Sequence, residues 1–298
     1  MDIKWASVAL IVLLSVKTTS SNANELYVTQ SGNNFKLTVT QDGENNIAGF
    51  SGSGNNNTIT ETQIGNNNDL GSIGPNDTSD GNNNTMTFVQ IGDYHQFQGD
   101  LDGDGNTLDV YQGGSGESNF IRSDVDGDNN DVKIWQGKKV DGTTDTTEGG
   151  DHEAYVTITG NNNVYHSAQT DQASNCCASA HHLADIITGD YNDVEHKQRG
   201  NGAHEGFVEV TGDYNDVDLL QRGNQGSNWA NIEITGDLNL VAVDQLGNGA
   251  HTADINLSSI NGPAYNFSLT QDSANNQSYS MTSVCTNPSG CSVSVIQN

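Results

Sequence analysis

Gly212-Asp213-Tyr214-Asn215-Asp216-Val217-Asp218-Leu219-Leu220-Gln221 is the stretch whose reading decides the fold. Its first four residues have the chemistry of a tight arch, because glycine and asparagine tolerate the left-handed backbone that such arches need. From Asn215 every second residue (Asn215, Val217, Leu219, Gln221) points to one face of an extended strand. The alternate residues Asp216 and Asp218 are acidic. This is a period of two rather than 3.6.

Working outward, the arch recurs as Gly189-Asp190-Tyr191-Asn192 and Gly236-Asp237-Leu238-Asn239 on either side, and earlier as Gly54 to Asn57, Gly81 to Asn84, Gly103 to Asn106 and Gly127 to Asn130. The glycines at 32, 43, 54 and 65, and again those at 81, 92, 103 and 114, are eleven apart. An asparagine six residues before a glutamine occurs at Asn24/Gln30, Asn57/Gln63, Asn84/Gln90, Asn106/Gln112, Asn130/Gln136, Asn163/Gln169, Asn192/Gln198, Asn215/Gln221 and Asn239/Gln245. Six is an even step, so both amides share a face with the aliphatics between them, as in Leu108/Val110, Val132/Ile134 and Val241/Val243.

Repetition at this period reads as an all-β protein: a β-solenoid of about 11 strand-arch-strand rungs with parallel in-register stacking, roughly 50 Å long at the inter-strand spacing. A single rung cannot bury its apolar face, so neighbours must stack. Stacking also explains the polar residues at inward positions. A carboxamide has two donors and two acceptors and can bond to the rung above and the rung below. From Asn57/Gln63 to Asn239/Gln245 these pairs are expected to form the stacking ladder.

The alternation of aliphatics, Gln, Gly-x-x-Asn, aliphatics and Gln resembles the curlin repeat of curli fibre subunits. It is carried by Asp131-Val132-Lys133-Ile134-Trp135-Gln136-Gly137 and by Leu37-Thr38-Val39-Thr40-Gln41 through Gly43 and Asn46, and it covers nearly all of residues 24–298. The resemblance implies a solenoid that stacks end to end into an extracellular, pilus-like amyloid fibre serving adhesion and biofilm matrix at the surface of a Gram-negative bacterium. The partners it implies are further copies of the chain, a nucleator subunit and an outer-membrane secretion pore. Departures are visible. Thr188, Thr211 and Thr235 end strands where the family has Gln, so one ladder is expected to be incomplete. Inserts at 137–152 and 170–181 are expected to interrupt the stack, and Asn266 to Gln271 is one residue short of the spacing. Unlike curli subunits, the chain enters its repeat without a polar, Gly-rich leader.

The first residues read as a processing signal. Lys4 precedes an apolar run from Ala6 to Leu14, and Ser21-Asn22-Ala23 offers small residues at a cleavage site. Residues 1–23 are expected to be a signal peptide and 24–298 the secreted solenoid. Its loss removes Lys4, Lys17 and Asp2, leaving 8 basic and 37 acidic residues and a net charge of −29 in place of −28. Such a chain repels nucleic acid and anionic lipid. No later segment has the apolar length of a membrane span. With 33 % hydrophobic residues and 34 glycines, composition alone would suggest disorder; the periodicity overrules it.

No cofactor or metal site is expected, and no catalysis. Asp100, Asp102 and Asp104 resemble the opening of an EF-hand loop, echoed by Asp124, Asp126 and Asp128, but Tyr111 stands where that loop needs a bidentate acid. Cys176, Cys177, His181 and His182 lack a zinc spacing. His204 and His251 recur inside Asn-Gly-Ala-His and read as arch repetition. No nucleophile-elbow, zincin or phosphate-loop motif occurs. Cys285 and Cys291 enclose turn residues and are the candidate disulfide, stapling the last strand-turn-strand in an oxidising compartment. A monomeric solenoid with blunted ends, acting as an adhesin, is the competing reading. Ice binding would need a Thr-x-Thr row on every rung, and only some rungs carry one.

Overall fold

A computed structural model describes residues 11–17, 23–71, 78–114, 119–137, 152–170, 181–200, 202–223, 227–258, 264–283, 285, 287 and 289–298. These residues form strands and arches and no helix. The architecture is a parallel β-solenoid, as the repeat requires. One sheet of twelve strands runs in sequence order from Ile11–Lys17 to Cys291–Gln297, with one or two strands of the other walls between successive members. A nine-stranded sheet runs beside it from Glu25–Ser31 to Val210–Thr211, and the pair His251–Asn256/Gln277–Thr282 extends that wall. Eleven of the twelve strands, from Lys36–Asp42 onward, each close one rung.

The register follows the sequence period. Val217 pairs with Val241, Leu219 with Val243 and Gln221 with Gln245. Inward aliphatics of the two sheets meet in one continuous core, with Leu37, Ile59, Leu108 and Val132 on one side and Ile121, Ile158, Ile187 and Ile232 on the other, each at most 2 % exposed. Outward positions are polar and half-exposed, so the core is two side chains thick and as long as the stack.

Three expectations about regularity are corrected. The inserts do not break the stack, because Gln136 pairs directly with Gln169 and Gln169 with Gln198. The insert residues 138–151 and 171–180, with Cys176 and Cys177, lie outside the described residues. The strand Tyr265–Asp272 is in register, with Leu240 opposite Asn266 and Gln245 opposite Gln271. Tyr265 takes the inward place that Asn holds elsewhere, while Asn266 faces outward. Finally, Asn24 and Gln30 belong to the nine-stranded sheet, where Gln30 lies opposite Gly52 and the later rungs put Leu101, Val125, Ile158 and Ile187. The place of the incomplete ladder is filled by aliphatics.

Cys285 and Cys291 are joined by a disulfide with Cα atoms 5.8 Å apart, closing the turn before the last strand. Of the segment read as a signal peptide, residues 11–17 form a parallel strand on Lys36–Asp42. No helix among the described residues is long and apolar enough to cross a membrane.

Candidate functional site

The strands bring the expected amides into vertical rows, and the two rows work differently. From Gln41 each glutamine Nε2 donates to the Oε1 of the next: Gln63, Gln90, Gln112, Gln136, Gln169, Gln198, Gln221, Gln245, Gln271 and Gln297, at 2.8–3.2 Å. The remaining Nε2 hydrogen reaches across to a carbonyl of the facing sheet, as Gln63 does to Ile47 at 2.8 Å and Gln245 to Trp229 at 2.8 Å. The row therefore ties rung to rung and also clamps the second arch.

The asparagine row serves the backbone. The Oδ1 of Asn84 accepts the Asn106 N–H at 2.8 Å, and the Asn84 Nδ2 donates to the Gly103 carbonyl at 2.8 Å. Asn57, Asn106, Asn130, Asn163, Asn192, Asn215 and Asn239 repeat the Oδ1 role, from Asn57 accepting the Asn84 N–H to Asn239 accepting the Tyr265 N–H. Each amide answers backbone groups that an arch would otherwise leave orphaned in a dry interior.

Replacing Gln221 by Leu should cost about 2 kcal/mol in a urea titration. It strands the Gln198 donor and the Gln245 acceptor, while leucine recovers part of the loss through apolar burial. An unchanged midpoint would mean that the ladder bonds contribute nothing net.

No family model, curated protein or solved structure matches the chain. Its chemistry has to be read from its own geometry.

The sequence reading missed three features. The first is a second polar column on the nine-stranded side, at the entry to each strand: Asn24, Asn46, Asn68, His95, Asn119, His152, His181, His204, Asn228, His251 and Gln277. His95, His152, His181, His204 and His251 are fully buried there. Gly43 with Asn46, and the Asn-Gly-Ala-His repetition, were its visible traces.

The second is a buried polar cluster in the core. The Tyr165 hydroxyl donates to Asp185, whose other oxygen is 3.1 Å from His196 Nδ1, all three being fully buried. Burial, the Asp185 charge and the hydrogen bond to Asp185 all push the Tyr165 hydroxyl well above 10. A Cβ on Gly206 would sit 2.1 Å from the His196 ring, so only glycine leaves room for it. The third is Glu61, a carboxylic acid in an aliphatic row.

The outer arches carry an exposed stripe. Tyr191 and Tyr214 stack with centroids 4.9 Å apart and planes within 3°, and Leu238 follows on the next rung. The Asp100 to Asp104 stretch is a strand entering an arch rather than a calcium loop. Asp80, Asp102 and Asp126 stack in register, and burial together with Asp80, Asp100 and Asp126 raises the Asp102 carboxyl above its usual range. His181 lies in the buried column, and His182 rests against Tyr155 with centroids 5.4 Å apart.

The stack ends are unlike its middle. Val293 and Val295 on the last strand are only partly buried, whereas Phe267 and Leu269 one rung earlier are at most 1 % exposed. The last strand pairs on one side only, with Tyr265–Asp272.

Proposed function

We propose that the chain is a secreted structural subunit of an extracellular curli-like fibre, assembling end to end by β-stacking for adhesion and biofilm matrix. The observation that carries this reading is the glutamine row, bonded side chain to side chain from Gln41 to Gln297 along parallel in-register strands. A strand added to such a stack finds the same backbone and amide partners as the strand before it. Once residues 1–23 are removed, Lys36–Asp42 becomes the matching edge, and Gln41 of a second copy would extend the row past Gln297. A nucleator subunit and a secretion pore in the outer membrane of a Gram-negative bacterium complete the proposed pathway.

A capped monomeric adhesin is the second reading. It is favoured by the disulfide beside the last strand and by residues 11–17 covering the other end.

Electron microscopy of purified residues 24–298 separates the two, since extended fibrils support the first and persistent monomers the second. The net charge of −29 on residues 24–298 sets the rate. Neighbouring rungs lie within the screening length of about 8 Å at physiological salt. The lag before fibril growth is therefore expected to shorten with added salt or calcium. Equal lags at low and high ionic strength would contradict growth through stacked, like-charged rungs.

A further inference from the structure

The histidines of the second arch hold the chain's most unusual chemistry: imidazoles stacked rung on rung inside a dry interior. The His152 and His181 ring centroids are 4.7 Å apart, and those of His181 and His204 are 4.9 Å apart.

Their protonation state is set by their neighbours. His95 Nε2 lies 3.1 Å from the Ile91 carbonyl, His181 Nε2 3.0 Å from Gly200, His204 Nε2 3.1 Å from Arg199 and His251 Nε2 2.7 Å from Leu246. A carbonyl only accepts, so each Nε2 carries the hydrogen and each Nδ1 of the neutral ring is left as an acceptor. The column uses it so: the Asn119 N–H donates to His95 Nδ1 at 3.4 Å, and the Asn228 Nδ2 donates to His204 Nδ1 at 3.3 Å. A proton added at Nδ1 turns donor against donor and places cations on adjacent rungs.

We propose that this histidine column is a built-in proton switch, which keeps the solenoid stacked near neutral pH and opens it from its middle rungs on mild acidification. His152, His181 and His204 are the core of the device. Within the column their neighbours Asn119 and Asn228 are uncharged. Across the core face Asp185, His196 and Tyr165, already committed to one another. Glu153, His182 and Glu205 follow the column residues in sequence and point away from it. Arg199 offers His204 its carbonyl. Among the described residues, the carboxylate charge felt at the column is that of Asp93 at His95, whereas the charges felt at His181 and His204 are those of other histidines.

The direction of the effect follows. Burial holds His204 down at about 4, from an ordinary 6.5. Burial and the flanking His152 and His204 hold His181 well below its ordinary value. A depressed folded-state value means that the unfolded chain takes up protons first. The stability is therefore present above pH 6.5 and lost as pH falls from there toward 4. Two such histidines lower the folding equilibrium up to about a hundredfold per pH unit in that window.

The test compares the dispersed chain with a His181→Asn, His204→Asn double variant in urea at pH 7, 6 and 5. Asparagine is the residue the column itself uses at 46, 68, 119 and 228. The wild type should lose up to about a hundredfold in folding equilibrium from pH 6 to 5, and the variant should lose far less. Equal losses overturn the proposal. Should the variant fail to fold, proton NMR of the wild type decides. Buried histidine signals that stay neutral until cooperative unfolding support the switch, and signals titrating near 6.5 in a folded chain refute it.

Discussion

Gly212→Ala should destabilise the solenoid by roughly 4 kcal/mol, the strain of an unfavourable backbone adding to that of a buried clash. Gly212 has φ +121°, which side chains rarely adopt, and a Cβ there would lie 2.2 Å from the Gly236 carbonyl oxygen. That atom is backbone, fixed by the next rung, and cannot swing aside. The contact also lies on the stacking axis. Gly189 approaches the Gly212 oxygen and Gly160 the Gly189 oxygen in the same way, so one methyl group holds two rungs apart. Asp213→Asn is the matched control, because asparagine occupies the equivalent arch position at 33, 55, 82 and 161. It should change stability by less than about 0.5 kcal/mol. Urea midpoints of the two variants decide the matter. A loss below 1 kcal/mol for Gly212→Ala would mean that the arches do not pack at backbone contact.

That glycine row is the part of the fold most legible in the sequence, and the reason is geometric. Arch and strand have fixed lengths on the twelve-stranded side, so Gly212, Asn215, Val217, Leu219 and Gln221 stand at constant separations and a spacing test finds them. The nine-stranded side differs. Its strands vary from two to seven residues, and inserts enter between the sheets. No constant spacing links His95, His152, His181 and His204, although all four stack in one line. Single positions escaped for another reason. Phe35 replaces the asparagine before Gln41, and Tyr265 the one before Gln271, so the six-residue spacing did not register those rungs although Gln41 and Gln271 both join the row. The Asp185, His196 and Tyr165 cluster carries no repeat spacing of its own, because Tyr165 and His196 stand in rows that are aliphatic on most rungs. Asp185 stands two residues before Ile187 just as Val208 stands before Val210, a break in pattern that a stricter reading of the rows exposes. What the sequence could not supply was pairing across the core, which depends on which rung faces which.

Glu61 is the clearest such break, and replacing it should strengthen the protein. Its register neighbours are Val39 below and Phe88 above. The side chain is 1 % exposed, and its Oε1 has no hydrogen-bond partner. It borders a cavity of about 20 Å³ lined also by Phe88, Phe97 and Leu101, where Gly99 supplies no side chain from the facing strand. Leucine in this place removes a buried carboxyl with an unpartnered oxygen and adds apolar contact, a gain of about 3 kcal/mol at pH 7. Burial pushes the Glu61 carboxyl well above 4.5, so the folded state favours the protonated form. The sign is opposite to that of the histidine column. The Glu61 contribution is fully present below pH 4.5 and is lost as pH rises toward the elevated folded-state value. Glu61→Gln keeps the shape and abolishes the titration. The stability difference between wild type and Glu61→Gln should therefore shift steadily against the wild type as pH rises from 4.5, then level off. The histidine double variant should diverge from wild type in the other direction as pH falls below 6.5. A difference between wild type and Glu61→Gln that stayed constant from pH 4 to 8 would place Glu61 in contact with water or a charge partner, and the row of Val39, Glu61 and Phe88 would no longer be a dry one.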